Sequence, residues 1–212
     1  TQGVSSAASD VYKRQGLNAA RMAMGLGAEV VVLERSIPRM RQIDELTGGR
    51  VITRYSSLHA IEEELVKADV VIGAVLVPGA EAPTLVRRDQ LKTMKPGSVL
   101  IDVAIDQGGC FETSHATTHE DPTYVVDGVV HYCVGNMPGA APRTSSEALN
   151  NATLPFGLAL ADRGLEALRA DPHLAKGLNV LKGEITHPAV AEALGLEWRD
   201  PFGVWAAGGA RG

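Results

Sequence analysis

Asp102 and Asp106 flank the apolar trio Val103-Ala104-Ile105, and Gln107-Gly108-Gly109-Cys110 follows at once. Two carboxylates beside a glycine pair suit polar chemistry at a ligand, because glycine lets backbone come close. Asp106 falls just past a predicted strand and faces the cleft if the register carries through; an Asx-type turn is the competing reading. Glu34 closes the run Glu29-Val-Val-Val-Leu33, about 20 residues beyond Gly16, where a dinucleotide-binding fold places the acid for the adenosine ribose hydroxyls. A carboxylate there accepts from both hydroxyls and repels a 2′-phosphate, which favours NAD over NADP; a surface acid is the alternative. Gly16 reads as the last glycine of a phosphate-binding fingerprint, with Lys13, Arg14 and Gln15 where small residues are needed. Val75-Leu76-Val77-Pro78-Gly79 leaves another strand, either laying backbone against adenine and nicotinamide ribose or simply exiting into a loop. Cys133-Val134-Gly135-Asn136-Met137-Pro138-Gly139 must turn sharply, closing a nicotinamide pocket or serving as a structural Pro-Gly turn.

These positions have a common logic in the elements that carry them. Short β-branched runs alternate with helical periodicity: strands at Glu29–Leu33, 51–55, 70–72, 98–103 and 129–134, and helices ending at 25–27, over 39–46, after Ser57 to Lys67, and over 88–94. Continuous apolar strands are expected to be buried on both faces, which calls for a parallel, doubly wound α/β sheet of Rossmann type with its ligand at the carboxyl ends of the strands. The first strand, which would precede Gly16, is missing or replaced. That absence leaves neighbouring strands with an unpaired edge. After Pro142 the pattern becomes helical. Thr144-Ser-Ser-Glu147 has capping-box spacing for a helix to Arg163, and shorter helices are expected at 165–170 and 188–194. The resulting divisions are residues 1–15, non-native or disordered; 16–142, a partial nucleotide-binding domain; 143–198, a helical segment; and 199–212, a loose tail.

Composition narrows the function classes. The 212 residues include 20 Lys and Arg against 25 Asp and Glu, for a formal net charge of −5. The basic residues are scattered, so the footprint of a nucleic-acid binder is missing. No apolar run approaches the length of a bilayer span, and the two cysteines, Cys110 and Cys133, lack zinc-like spacing. The expectation is a cytoplasmic protein with no metal, no nucleic acid and no membrane attachment.

The stretches IGAVLVPGAEAPTLV, KPGSVLIDVAIDQGGCFETS and PTYVVDGVVHYCVGNMPGAAPRTSSEALNNATLP resemble the alanine dehydrogenase family, over a span from about Gly16 to Glu197. The same domain occurs in the NAD-binding subunit of proton-pumping transhydrogenase. The resemblance implies reversible oxidative deamination of L-alanine to pyruvate and ammonium with NAD as hydride acceptor, in a homo-oligomer, commonly a hexamer. It implies Glu34 and Arg39 at the adenosine ribose, Ser56 near the adenine, Val75 and Leu76 on the cofactor, and Val103, Ala104, Ile105 and Asp106 along the nicotinamide side. Asp106 becomes the catalytic carboxylate, and Val134, Gly135, Asn136 and Met137 close over the nicotinamide.

Three departures qualify the resemblance. Glu34 stands where the family usually has Asp, and His115 where an Arg commonly contributes to the cofactor site. The family's substrate-binding Arg and Lys and its catalytic His lie in an N-terminal domain without counterpart here. The expectation is therefore an inactive, marginally stable fragment that keeps the cofactor half of the site. The alternatives are a fragment of a transhydrogenase NAD-binding subunit and a non-catalytic NAD-binding module. All six histidines read as surface or packing residues.

Overall fold

Helix α1 (Ser6–Gly25) opens the computed structural model, which describes residues 6–75 and 82–208. Two units divide the chain, Thr1–Met137 and Pro138–Gly212. In the first, strand β1 (Val30–Glu34) leads to α2 (Ile37–Thr47), whose start is fixed by Ser36 Oγ accepting from the Arg39 amide at 3.4 Å. Strand β2 (Val51–Tyr55) pairs parallel with β1, setting Val30 opposite Val51 and Glu34 opposite Tyr55. Ser57 then caps α3 (Leu58–Leu65), its Oγ accepting from the Ala60 amide at 3.1 Å. A serine is favoured here because its oxygen satisfies an amide that has no partner inside the helix. Strands β3 (Val70–Gly73) and β4 (Val99–Asp102) follow, with a 3₁₀ turn at Arg88–Thr93 between them. Beyond β4 lie a second 3₁₀ turn at Ile105–Gln107 and the hairpin of β5 (Thr123–Val126) and β6 (Val129–Tyr132).

Two sheets result in this first unit among the described residues: β1-β2, and β3-β4-β6-β5. The β3/β4 and β4/β6 pairs are parallel, whereas β5/β6 is antiparallel. The expected parallel sheet is thus divided in two and carries one antiparallel strand. The Asp127-Gly128 turn that builds the hairpin has φ of 49° and 82°, the Asp-Gly signature of a tight hairpin. Burial on both faces is only approached at β4, where Leu100 and Asp102 are fully inaccessible on one face and Val99 and Ile101 half-buried on the other, whereas on β3 Val70 is 53% and Ile72 38% exposed. The physical difference is neighbours: β4 is flanked on both edges, while β1 and β3 each pair on one edge only. Helix α1 packs against both β1 and β3. The principal core gathers Leu65, Val86, Leu91, Leu100, Cys110 and Phe111, and a smaller one gathers Leu17, Ile43 and Val51.

The second unit begins with α4 (Pro142–Arg163), a helix whose side chains are exposed nearly throughout. Its start differs from the capping box expected at Thr144: Pro142 occupies the first turn, and the flanking Ala141 makes no side-chain cap. Proline suits that place because its fixed φ is already helical and its missing N–H would be unpaired there anyway. Short helices α5 (Glu166–Ala170) and α6 (Pro172–Ala175), the two-residue strands β7 (Val180–Leu181) and β8 (Glu184–Ile185), α7 (Pro188–Leu194) and α8 (Pro201–Gly208) complete it. Helix α8 replaces most of the expected loose tail. Arg169 stacks on Trp205 at 4.0 Å from the ring centre, giving that helix an anchor inside its own unit.

Candidate functional site

Parallel pairing brings the carboxyl ends of β3, β4 and β6 to one edge of the four-stranded sheet, with Gly73 opposite Asp102 and Ile101 opposite Tyr132. Val75, Val103–Asp106 and Val134–Asn136 all follow those ends. Asp102 is fully buried. Its Oδ1 accepts from the Ala104 amide at 3.0 Å, and its Oδ2 from the Cys110 amide at 2.8 Å and the Ser114 hydroxyl at 2.5 Å. No cation pairs with it among the described residues.

Asp106 is exposed, in the 3₁₀ turn after β4, and its Oδ1 lies 3.4 Å from the position a Cβ on Gly135 would take. That proximity joins two separated sequence motifs. Asn136 adopts φ 57°, and its carbonyl oxygen lies 3.0 Å from Nε2 of His119. His119, read from sequence as a surface or packing residue, is thus a neighbour of the Asn136 turn; nothing in its local sequence signals this. Val103 and Gly135 are half-buried, Ala104, Ile105 and Val134 are buried, and Met137 is half-buried.

Behind this edge lies a polar cluster around the buried His131 that the sequence does not single out. His131 is inaccessible, with Nε2 2.7 Å from Thr113 Oγ1 and Nδ1 3.0 Å from the Val129 carbonyl. Tyr124 stacks between His115 and His131, with ring centres 3.7 Å and 4.9 Å away, and donates its hydroxyl to the Thr113 carbonyl at 2.9 Å. His115, standing at the expected Arg position, is therefore engaged with Tyr124. Burial lowers the His131 pKa, against a smaller raising contribution from the Val129 carbonyl. Burial also pushes the Tyr124 phenol up, reinforced by the Cys133 thiol. The Cys110 thiol is pushed far up by burial and then by the Asp102 charge beside it, so it stays protonated and a poor nucleophile. Gly73 explains how Cys110 fits: a Cβ there would sit 2.2 Å from Cys110 Sγ and 2.8 Å from Phe111.

The ends of the two-stranded sheet carry the other predicted residues. Glu34 Oε1 accepts from the Arg35 and Ser36 amides at 2.7 and 2.9 Å, while Oε2 hydrogen-bonds to none of the described residues. The Ser56 amide donates to the Glu34 carbonyl at 3.0 Å, placing these two positions side by side. Arg39 lies in the first turn of α2 and its guanidinium donates to Gln42. Gly16 lies within α1, and the helix is continuous from Ser6 rather than beginning at Gly16. Amides inside a helix are committed to its own carbonyls, in contrast to the free amides of a phosphate-binding turn. Leu76 lies outside the described residues, as do 1–5, 77–81 and 209–212.

Comparison with known proteins places these features in context. The family model "Alanine dehydrogenase/PNT, C-terminal domain" matches residues 15–188. The alanine dehydrogenase of Halomonas elongata is 65% identical over 184 residues, covering 86% of this chain and 50% of that protein. A solved L-alanine dehydrogenase matches with TM-score 0.79 and 51% identity, over 85% of this chain and 50% of its own. A transhydrogenase structure from Sinorhizobium meliloti matches with TM-score 0.64 and 28% identity, over 82% and 47%. The chain spans about half the length of the relatives it matches. No helix among the described residues is long and apolar enough to cross a membrane.

Proposed function

The chain belongs to the alanine dehydrogenase/PNT C-terminal domain family, and from that premise we propose that it forms the cofactor half of an NAD-dependent alanine dehydrogenase. The reaction is oxidation of L-alanine to pyruvate and ammonium in a cytoplasmic homo-oligomer, with NAD, when bound, taking the hydride. Identity of 65% to an alanine dehydrogenase against 28% to the transhydrogenase favours this reading over the proton-pump component.

The observation that carries it is the exposed Asp106 carboxylate beside Gly135 at the parallel strand ends. An exposed carboxylate there holds the amino group of the substrate and orients the attacking water, with catalysis arising from positioning and proton handling. Val103 to Ile105 and Val134 to Met137 shape the nicotinamide side. Glu34, with one oxygen holding its own turn and the other without a hydrogen bond among the described residues, suits a pair of ribose hydroxyls, with Ser56 beside it and Arg39 on α2. The pyrophosphate part fits less well, since Gly16 sits inside a helix. The isolated chain is accordingly a catalytically silent piece with NAD affinity too weak for calorimetry to register.

The test joins this chain to the N-terminal half of the Halomonas elongata relative and follows NADH formation from L-alanine. Asp106→Asn lowers kcat by about 100-fold or more, the usual scale for losing a positioned acid-base group. Unchanged turnover would remove Asp106 from the mechanism, and strong NAD binding by the isolated chain would overturn the fragment reading.

A further inference from the structure

We propose that Asp102 is a positioning residue that sets the geometry of Asp106, by clamping both ends of the loop that carries it. The inference rests on the reading of Asp106 as the catalytic carboxylate. One oxygen holds the start of the loop through the Ala104 amide, and the other holds its end through the Cys110 amide and the Ser114 hydroxyl. Between the two anchors run only the Ile105–Gln107 turn and the Gly108-Gly109 pair. The turn closes on itself, the amides of Gln107 and Gly109 both donating to the Ala104 carbonyl at 2.9 and 3.1 Å. Displacement of either anchor therefore reaches Asp106 within one turn of chain.

The chemistry of the clamp calls for a carboxylate. The Ala104 and Cys110 amides can only donate, the Cys110 thiol also points at Oδ1 from 3.4 Å, and an ionised carboxylate only accepts. Asparagine in the same place would turn an N–H₂ toward one of these donors and leave a buried amide without a partner. Burying a carboxylate with no cation beside it among the described residues is costly, and an apolar side chain would fill the core at smaller cost. Gly109 shows how closely the clamp is fitted: at φ 82°, a Cβ would lie 2.8 Å from Ser114 Cβ and 3.0 Å from Asp102 Oδ2. Any side chain there pushes the clamp apart.

Residue-resolved amide exchange on the full 212-residue chain tests the clamp directly. Asp102→Asn is expected to accelerate exchange at Ala104 and Cys110 by about 10-fold or more, the scale of a lost hydrogen bond to a charged group, while Leu100 and Val130 keep their protection. Ser114→Ala, which removes one anchor, gives a smaller change at the same amides and serves if Asp102→Asn does not fold. Equal acceleration across β4 and β6, or none at the loop, overturns the proposal. In the enzyme completed with the Halomonas elongata half, Asp102→Asn lowers kcat by roughly 10- to 100-fold, as for a small misplacement of a reacting group, with KM for alanine and NAD nearly unchanged. Val51→Ala, which loosens the separate small core, leaves kcat intact. An undiminished kcat in Asp102→Asn also overturns the proposal. If Asp106→Asn is fully active, the catalytic reading of Asp106 fails, and the exchange measurement alone decides whether Asp102 holds the loop.

Discussion

Gly73 and His131 are the residues where close packing turns most directly into a measurable quantity. Gly73→Ala places a methyl group inside the radius of Cys110 Sγ and the Phe111 ring, and a well-packed core does not absorb it without shifting backbone. A loss of about 1–3 kcal/mol is expected from such overpacking, read as a lower urea midpoint. His131 acts through protons: its folded pKa lies below its unfolded value because burial penalises the cation. The unfolded chain then binds more protons as pH falls below about 6.5, so stability is full above that pH and declines beneath it until His131 protonates within the fold. His131→Gln should flatten this acid limb below about pH 6.5 in denaturant titrations; an unchanged slope would remove His131 from the cause. Cys110 and Cys133, both fully buried, should react with thiol reagents only at the rate of unfolding.

At the scale of elements, caps and edges govern behaviour. Ser57→Ala removes the acceptor for the Ala60 amide and should cost about 1 kcal/mol, measurable by thermal unfolding. Arg54 on β2 reaches both Glu63 and Glu64 near the end of α3, the Glu63 contact at 2.6 Å, and ties the helix to its strand. Strands β1 and β3 present one edge each without a strand partner among the described residues. Their β-branched sequences were legible as strands, and β2 and α7 fall where the pattern places them. The hairpin strand β5 was not read, although Asp127-Gly128 between two valine pairs is a hairpin signal. It was hidden because alternating βα spacing draws attention to parallel strands separated by helices.

For the whole molecule, the apolar residues of α4 weigh most on solution behaviour. Leu149, Leu154, Phe156 and Leu158 are 65%, 47%, 46% and 53% exposed, an amount of apolar surface that favours association in water. The isolated chain should self-associate as concentration rises in light scattering, and Leu154→Glu with Phe156→Glu should suppress this without lowering the thermal midpoint, since neither side chain is buried. A chain that stays monomeric throughout would count against α4 as the adhesive surface.

The family, the α/β alternation and the strand-end placement of Glu34, Asp106 and Asn136 are legible in the sequence alone. These follow from local apolar periodicity and from long motifs whose order survives without any knowledge of contacts. The partners those residues meet emerge from the folded chain: Asp106 lies by Gly135, Asp102 accepts from amides at both ends of the Asp106 loop, and Gly73 gives way to Cys110. The tertiary structure also decides that the sheet is divided in two and that Gly16 lies within a helix. The reason is physical: a period reports which face of an element is apolar, whereas hydrogen bonds and close approaches between residues far apart in sequence arise from how those faces pack.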